Sequence, residues 1–358
     1  MKYYLLVLTC CLIACTSTPV SDKGKEIYIE DMEKCVDFKM LFPENTSYIA
    51  TPLTIDSCCT PYIGMKLQIE NNDFLLGDSQ FAHVVYRYDS MGRFMNMIGK
   101  RGYGPEEYSA LKDFIVSNDT ISIVSLGSPG DCIYRYKDSG EFLGKIEIPK
   151  KIVSLARNAS GEYIVNSGRN IYNSSWQITH YSSDWSVLEE YFELSSDGSN
   201  VPVMESNFSV DRDKVFYHEA FNNQLYVLEE SLKPSYSIMF DGVENFHNVH
   251  EGDFVKAIER LYKQGFYLVD SYLESDKLLF LVMSYLKDSR TQKQVLLVYD
   301  KEQNIGQRYE TEQEDLYIGN LCIENDILYC MAPENFVRRY VPNDWTPESD
   351  MYILKIKL

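Results

Sequence analysis

Five histidines are the first residues in this chain that could do chemistry: His83, His180, His218, His247 and His250. The segment His247-Asn248-Val249-His250-Glu251 invites a metal reading, because neutral imidazoles at short spacing are common ligands. H-x-x-H does not set both rings on one helical face as H-E-x-x-H does, and the segment reads as a loop of exposed histidines. No G-x-S-x-G elbow presents a serine nucleophile. With 53 Asp and Glu, a carboxylate pair of the glycosidase kind stays open. Most of these acids, however, sit in short polar turns, where a carboxylate bonds nearby amides. No metal and no cofactor is expected.

The cysteines offer little more. After Cys10, Cys11 and Cys15 near the N-terminus, the chain carries Cys35, Cys58, Cys59, Cys132, Cys322 and Cys330. A thiolate metal site would need C-x-x-C spacing, which is absent. Cys322 and Cys330 flank a predicted hairpin and are one candidate disulfide, and a member of the Cys58-Cys59 pair could reach Cys35. Buried free thiols are the default reading.

The elements that must position any site belong to a chain of 358 residues, 45% hydrophobic and 24% charged, which is a globular mix. Against 34 Lys and Arg, the acids leave a formal charge of −19. That surplus argues against nucleic acid as a partner, since phosphate binding needs clustered cations. It argues equally against electrostatic docking on anionic lipid. Aromatics reach 13%, with 28 Tyr, a bias that suits pleated sheet.

The N-terminus begins Met1-Lys2 and continues with an apolar run from Tyr3 to Ala14. Twelve residues rise about 18 Å as a helix, too little for a bilayer core of roughly 30 Å, so the run reads as a signal peptide. Its end, Leu12-Ile13-Ala14-Cys15, resembles the lipobox of bacterial lipoproteins. The resemblance implies cleavage before Cys15 and lipidation of its thiol, with contact to the membrane only through that lipid. Residues 1–14 are then the signal, 15–26 a polar tether and 27–358 the folded domain. The expected address is the outer membrane, on either face.

Six segments share one pattern: an alternating apolar strand, a tight turn of Asp, Asn or Gly, and a second apolar strand. The turns centre on Asp73, Asp119, Gly161, Asp213, Asp276 and Asp326 and recur every 42 to 63 residues. Residues that tolerate positive φ between β-formers are a hairpin signal. After the hairpins come third strands such as Tyr86-Arg87-Tyr88 and Tyr134-Arg135-Tyr136, then a turn and a fourth strand. Four strands repeated six times predict an all-β fold, a six-bladed β-propeller of four-stranded antiparallel blades. The N-terminal segment should complete the last blade beside the C-terminal strand Asp350–Leu358. One helix is predicted over 252–264, with Phe254, Val255, Ile258, Leu261 and Tyr262 on one face and Asp253 at its start. Inserted between the fourth and fifth blades, it would either cover a sheet edge or lid a binding face.

Tyr88-Asp89-Ser90-Met91-Gly92-Arg93-Phe94 and then Gly102-Tyr103-Gly104-Pro105-Glu106-Glu107-Tyr108 resemble the signature of the six-bladed β-propeller lipoproteins of Bacteroidetes. The resemblance implies an NHL-like propeller on a lipid anchor, without an assigned activity; Glu106 stands where that family prefers Gly. Read physically, Gly102 and Gly104 permit a tight crossing between blades, Pro105 stiffens it, and Glu107 and Tyr108 bond the loop or the next blade. No helix start or Lys-Ser/Thr follows, so this is not a phosphate loop.

Propeller geometry gathers the loops after second strands and the blade-crossing loops on one face. There the sequence places Asp78, His83, Arg169, Trp176, His218, Tyr285, Arg338 and Arg339, joined by Arg101 and Tyr103. Arginines and aromatics amid polar groups suit a protein, glycan or carboxylated ligand. The leading expectation is a non-catalytic binding or scaffold protein for an envelope protein or glycan. The alternative is a propeller hydrolase or lyase acting on carbohydrate or lactone, with a divalent metal held by at least three converging side chains. Ligand identity and oligomeric state are not legible.

Overall fold

The computed structural model describes residues 24–28, 33–35, 48–57, 59–127, 130–168, 174–194, 208–219, 222–240, 254–287, 291–310, 319, 321–324, 327–341 and 349–357. Three N-terminal strands come first: β1 (Lys25–Tyr28), β2 (Glu33–Cys35) and β3 (Tyr48–Pro52). Blade 1 is β4 (Lys66–Glu70), β5 (Asp73–Gly77), β6 (Val85–Tyr88) and β7 (Phe94–Ile98). Blade 2 is β8 (Leu111–Ser117), β9 (Thr120–Ser125), β10 (Asp131–Lys137) and β11 (Phe142–Ile148). Blade 3 is β12 (Ser154–Arg157), β13 (Tyr163–Asn166), β14 (Trp176–Tyr181) and β15 (Val187–Glu193). Blade 4 is β16 (Phe208–Asp211), β17 (Lys214–Tyr217), β18 (Gln224–Leu228) and β19 (Leu232–Met239). Helix α1 (Phe254–Gln264) precedes blade 5, which is β20 (Phe266–Glu274), β21 (Leu278–Lys287), β22 (Thr291–Asp300) and β23 (Ile305–Glu310). β24 (Leu321–Glu324), β25 (Ile327–Pro333), helix α2 (Glu334–Tyr340) and β26 (Met351–Lys357) end the chain. The six four-stranded antiparallel blades of the propeller are all present.

The turns form for the expected reason. Asn71 and Asn72, at φ 52° and 66°, and Asn118 and Asp119, at 51° and 57°, join first to second strands in blades 1 and 2. Two successive left-handed residues match the twist of the flanking strands, and Asn and Asp adopt that region at low cost. Second strands such as β9 are buried along nearly their whole length, because neighbouring blades cover both faces. The outermost β11 alternates half-buried and exposed residues until Ile148. The core is therefore a series of clusters between blades, the largest spanning blades 4, 5 and 6 around Tyr272, Phe280, Phe336 and Leu354.

β3 pairs antiparallel with β26, Pro52 opposite Tyr352 and Tyr48 opposite Ile356, so the N-terminal segment does complete the last blade. The Leu53 amide extends the pairing to the Met351 carbonyl at 2.9 Å. The two earlier strands do something unforeseen. β1 lies parallel along β19, and β2 parallel along β23, as fifth strands on the outer edges of blades 4 and 5. The arm thus follows the rim from blade 4 to blade 6, covering edges that would otherwise offer unpaired backbone groups.

Helix α1 lies between blades 4 and 5 as expected and packs beside β21. Leu261 is buried, and Gly265 ends the helix at φ 88°, its amide bonded to the Leu261 carbonyl at 2.8 Å. Asp253 lies outside the described residues. Cys132, Cys322 and Cys330 are free thiols, and the buried Cys59 Sγ accepts from the Tyr88 hydroxyl at 3.0 Å. Cys330 faces Leu321 across the hairpin while Cys322 faces Tyr329, so register sets the two sulfurs off from each other.

Candidate functional site

Strand order defines two faces. On the upper face, second strands lead into third strands and each blade crosses to the next; the lower face carries the hairpin turns. The crossing loop after blade 1 is held from within. Glu107 accepts from the Gly104 amide at 3.0 Å, and its other oxygen meets the Lys100 ammonium at 2.5 Å, which holds the carboxyl below its usual range. A Cβ at Gly102 would stand 2.0 Å from Glu107 Oε2, so the first glycine of the motif makes room for that side chain. Tyr108 is buried and donates from its hydroxyl to the His83 carbonyl at 2.7 Å. Glu106 adopts no positive φ, so the departure from Gly there is accommodated. In the turn before it, Asp89 accepts from the Met91 and Arg93 amides at 2.9 and 3.0 Å, with Gly92 at φ 78°.

Asp78, expected on the ligand face, is a buried cap. Its carboxylate accepts from the amides of Gln80, Phe81 and Ala82 and from the Tyr62 hydroxyl at 2.8 Å. Burial alone would raise its pKa; the bonds from Phe81, Ala82, Tyr62 and Gln80 outweigh it and hold the carboxyl low. The result is a stiff loop that displays Phe81, 70% exposed and edge-on to Tyr62 at 5.3 Å. His83, at φ 57°, closes this loop beneath Tyr108. Tyr103 is fully exposed on the adjoining crossing loop, and Arg101 is exposed with Nε on the Ser109 carbonyl at 3.2 Å. The two joined upper loops of blade 1 therefore display Phe81, Arg101 and Tyr103, of which the sequence singles out the last two.

The other candidates are dispersed. Trp176 is half-buried at the start of β14. Arg338 and Arg339 are exposed on α2 rather than on a loop; Arg338 pairs with Glu334 and Arg339 lies 5.7 Å from the Tyr340 ring. Tyr285 is half-buried in β21 opposite Tyr267, which stacks on Phe240 at 4.8 Å. Arg169 and Cys15 lie outside the described residues, as do His247 and His250. His180 is a satisfied core residue, its Nε2 3.0 Å from Glu162.

His218 is buried at the channel, and burial lowers its pKa to about 4 against opposing effects of the Asp270 backbone and Glu219. Asp270 was not foreseen. It is the extra residue of a bulge in β20, between Val269 opposite Met283 and Ser271 opposite Val282. Its carboxylate accepts from Ser284 Oγ at 2.6 Å, while burial pushes its pKa up to about 6. The signal was in the sequence: Asp270 interrupts the apolar run Phe266-Tyr267-Leu268-Val269. Beside His218, Glu219 accepts from Gln177 and from the Tyr217 hydroxyl at 2.9 Å. Among the described residues no three His, Cys, Asp or Glu side chains converge as a metal site.

Side chains tie the inner strands together around the channel. Gln68 of blade 1 accepts from the Val116 amide at 2.7 Å and donates to the Phe114 carbonyl at 3.3 Å, capping the free edge of β8. Asp113, buried, accepts from the Leu155 amide of blade 3 at 2.8 Å and from Lys66 of blade 1 at 2.5 Å, so one carboxylate ties three blades. Between the inner strands remains a cavity of about 180 Å³.

Residues 54–348 match the family model described as a domain of unknown function (DUF4934). The chain belongs to the DUF4934 family. No curated protein is similar to this DUF4934 chain in sequence. Its fold is similar to the crystal structure of a Bacteroides fragilis protein described as exported, with a TM-score of 0.72 at 17% identity, covering 93% of this chain and 99% of that one. A member of the DUF4221 family from Bacteroides vulgatus is similar at a TM-score of 0.54 and 11% identity, covering 87% and 96%. Among the described residues of the DUF4934 chain, no helix is long and apolar enough to cross a membrane.

Proposed function

We propose that this chain is an NHL-like propeller lipoprotein of the outer membrane that binds an envelope protein or glycan without catalysis, through the upper loops of blade 1. The observation that carries the reading is the exposed pair Phe81 and Tyr103, with Arg101 beside Tyr103, on loops made rigid by Asp78, Glu107 and Tyr108. Rigid aromatics flanked by arginine lose little entropy on binding and anchor interfaces well. Lipidation of Cys15 would hold the domain at the membrane. The similar fold of the exported Bacteroides fragilis protein supports the same compartment.

In-cell photo-crosslinking at position 103, with Phe81→Ser and Arg101→Ala in the same background, tests the site. A discrete adduct that weakens at least tenfold in either variant is expected. Equal labelling in all three proteins would remove this face from consideration. Cys15→Ser should release the protein from the membrane fraction; retention there would exclude the anchor.

A further inference from the structure

The inner strands end on the lower face at Glu70, Ser117, Arg157, Asp211, Glu274 and Glu324, one from each blade. Some of the charges near this mouth are matched. Glu274 meets Lys301 at 3.3 Å, and Arg212, which follows Asp211, meets Asp276 at 3.2 Å. Further up the wall, Lys66 is matched by Asp113, and His218 is neutral above its pKa of about 4.

Arg157 and Glu324 are different. Both line the cavity, from blades 3 and 6, which stand opposite each other in a ring of six. Among the described residues Arg157 bonds only neutral groups, the Gly161 carbonyl at 3.3 Å and Ser117 Oγ at 2.5 Å, and its guanidinium lies 5.3 Å from the Tyr163 ring. A guanidinium has five N–H donors, so several remain. Glu324 Oε2 is buried without a hydrogen-bond partner. Burial first and then the nearby Glu70 carboxylate raise the Glu324 pKa. β16 of blade 4 and β24 of blade 6 approach one another past β20, and both line the 180 Å³ cavity. A cavity of about 150 Å³ admits benzene, so a small organic solute fits here.

We propose that the channel binds a small zwitterion of dipeptide size, its carboxylate on Arg157 and its ammonium on Glu324. A buried acceptor without a donor and a cation without an anion are each costly, and one solute carrying both charges relieves both. Arginine is suited to the carboxylate, which it binds through two parallel bonds. A dipeptide spans roughly 7 Å between its ends, whereas a free α-amino acid carries both charges on one carbon, so the dipeptide better spans facing walls.

Isothermal titration of the full mature protein with glycylglycine and alanylalanine tests this. Saturable binding is expected, weakened at least tenfold by N-acetylation or by C-terminal amidation of the same dipeptides. Glu324→Gln and Arg157→Met should each weaken it similarly, whereas Met95→Ser, at an exposed position of the outer strand β7, should not. Equal binding of blocked and free dipeptides, or no binding of either free dipeptide at millimolar concentration, would overturn the proposal. The blocked ligands are read on the unmodified protein, so the result does not depend on the variants folding. The upper-face reading stands or falls separately, by crosslinking.

Discussion

The Tyr108 hydroxyl donates to the His83 carbonyl oxygen at 2.7 Å, joining the crossing loop that carries Tyr103 to the loop that carries Phe81. Two surface aromatics thereby share one buried support. Tyr108→Phe keeps the ring and leaves the His83 carbonyl unpaired, which costs about 1–3 kcal/mol. Thermal unfolding should fall accordingly, and faster hydrogen exchange should be confined to the loops of blade 1. A loss spread evenly over all six blades would contradict this local role.

Asp270 and His218 have opposite pH dependences. Burial raises the Asp270 pKa from 3.8 to about 6, so its share of stability declines as pH rises across that window. Burial lowers the His218 pKa from 6.5 to about 4, so its share declines as pH falls across nearly the same window. Each slope amounts to as much as about 3 kcal/mol in total, and in the unmodified protein the pair nearly cancels between roughly pH 4 and 6. Asp270→Asn should unmask stability that rises with pH, and His218→Gln stability that falls. Urea unfolding at three pH values decides it; parallel profiles for both variants and the parent would refute the pairing.

Ile27 is 3% exposed and faces Ile238 across the parallel pair β1–β19. Ile27→Ala should detach this four-residue strand while leaving the ring closed, because closure belongs to β3 and β26. Limited proteolysis near residue 28 should quicken severalfold with the main unfolding transition lowered by less than the 2–5 kcal/mol of a core truncation. Loss of cooperative unfolding would show that the arm is part of the closure itself.

Gly92 has φ 78°, and a Cβ there would stand 1.9 Å from the Pro52 carbonyl oxygen. Gly92→Ala should cost about 2 kcal/mol or more, since it combines left-handed strain with a backbone collision. Differential scanning calorimetry measures it. Met91→Ala, at an exposed neighbouring position, should leave the transition within about 0.5 kcal/mol of the parent.

The hairpins were legible because each announces itself locally: Asn71-Asn72 and Asn118-Asp119 encode left-handed turns between β-formers. Closure by β3 and β26 followed from the need of a ring to have no free end. The parallel strands β1 and β2 were not legible, since short strands paired with residues 236–239 and 307–309 leave no turn signature. Helix α2 was missed although Phe336, Val337 and Tyr340 have helical spacing, because seven residues give barely two turns. At the site, residue type misled for Asp78, where a polar residue near a loop proved to be a buried cap. Asp270 escaped because its role depends on a bulge, which is a property of two paired strands.

The three N-terminal strands find their partners far along the chain and in order: β1 with residues 236–239, β2 with 307–309 and β3 with 352–356. A polypeptide made from its N-terminus therefore carries β3 without its partner until synthesis is nearly over. Bringing ends about three hundred residues apart together costs on the order of 5 kcal/mol in chain entropy, and only blade 6 repays it. The last strand to leave the ribosome is the one that locks the ring. Until then the chain has no closed form, and a nascent chain cut short before Met351 has no finished propeller to become.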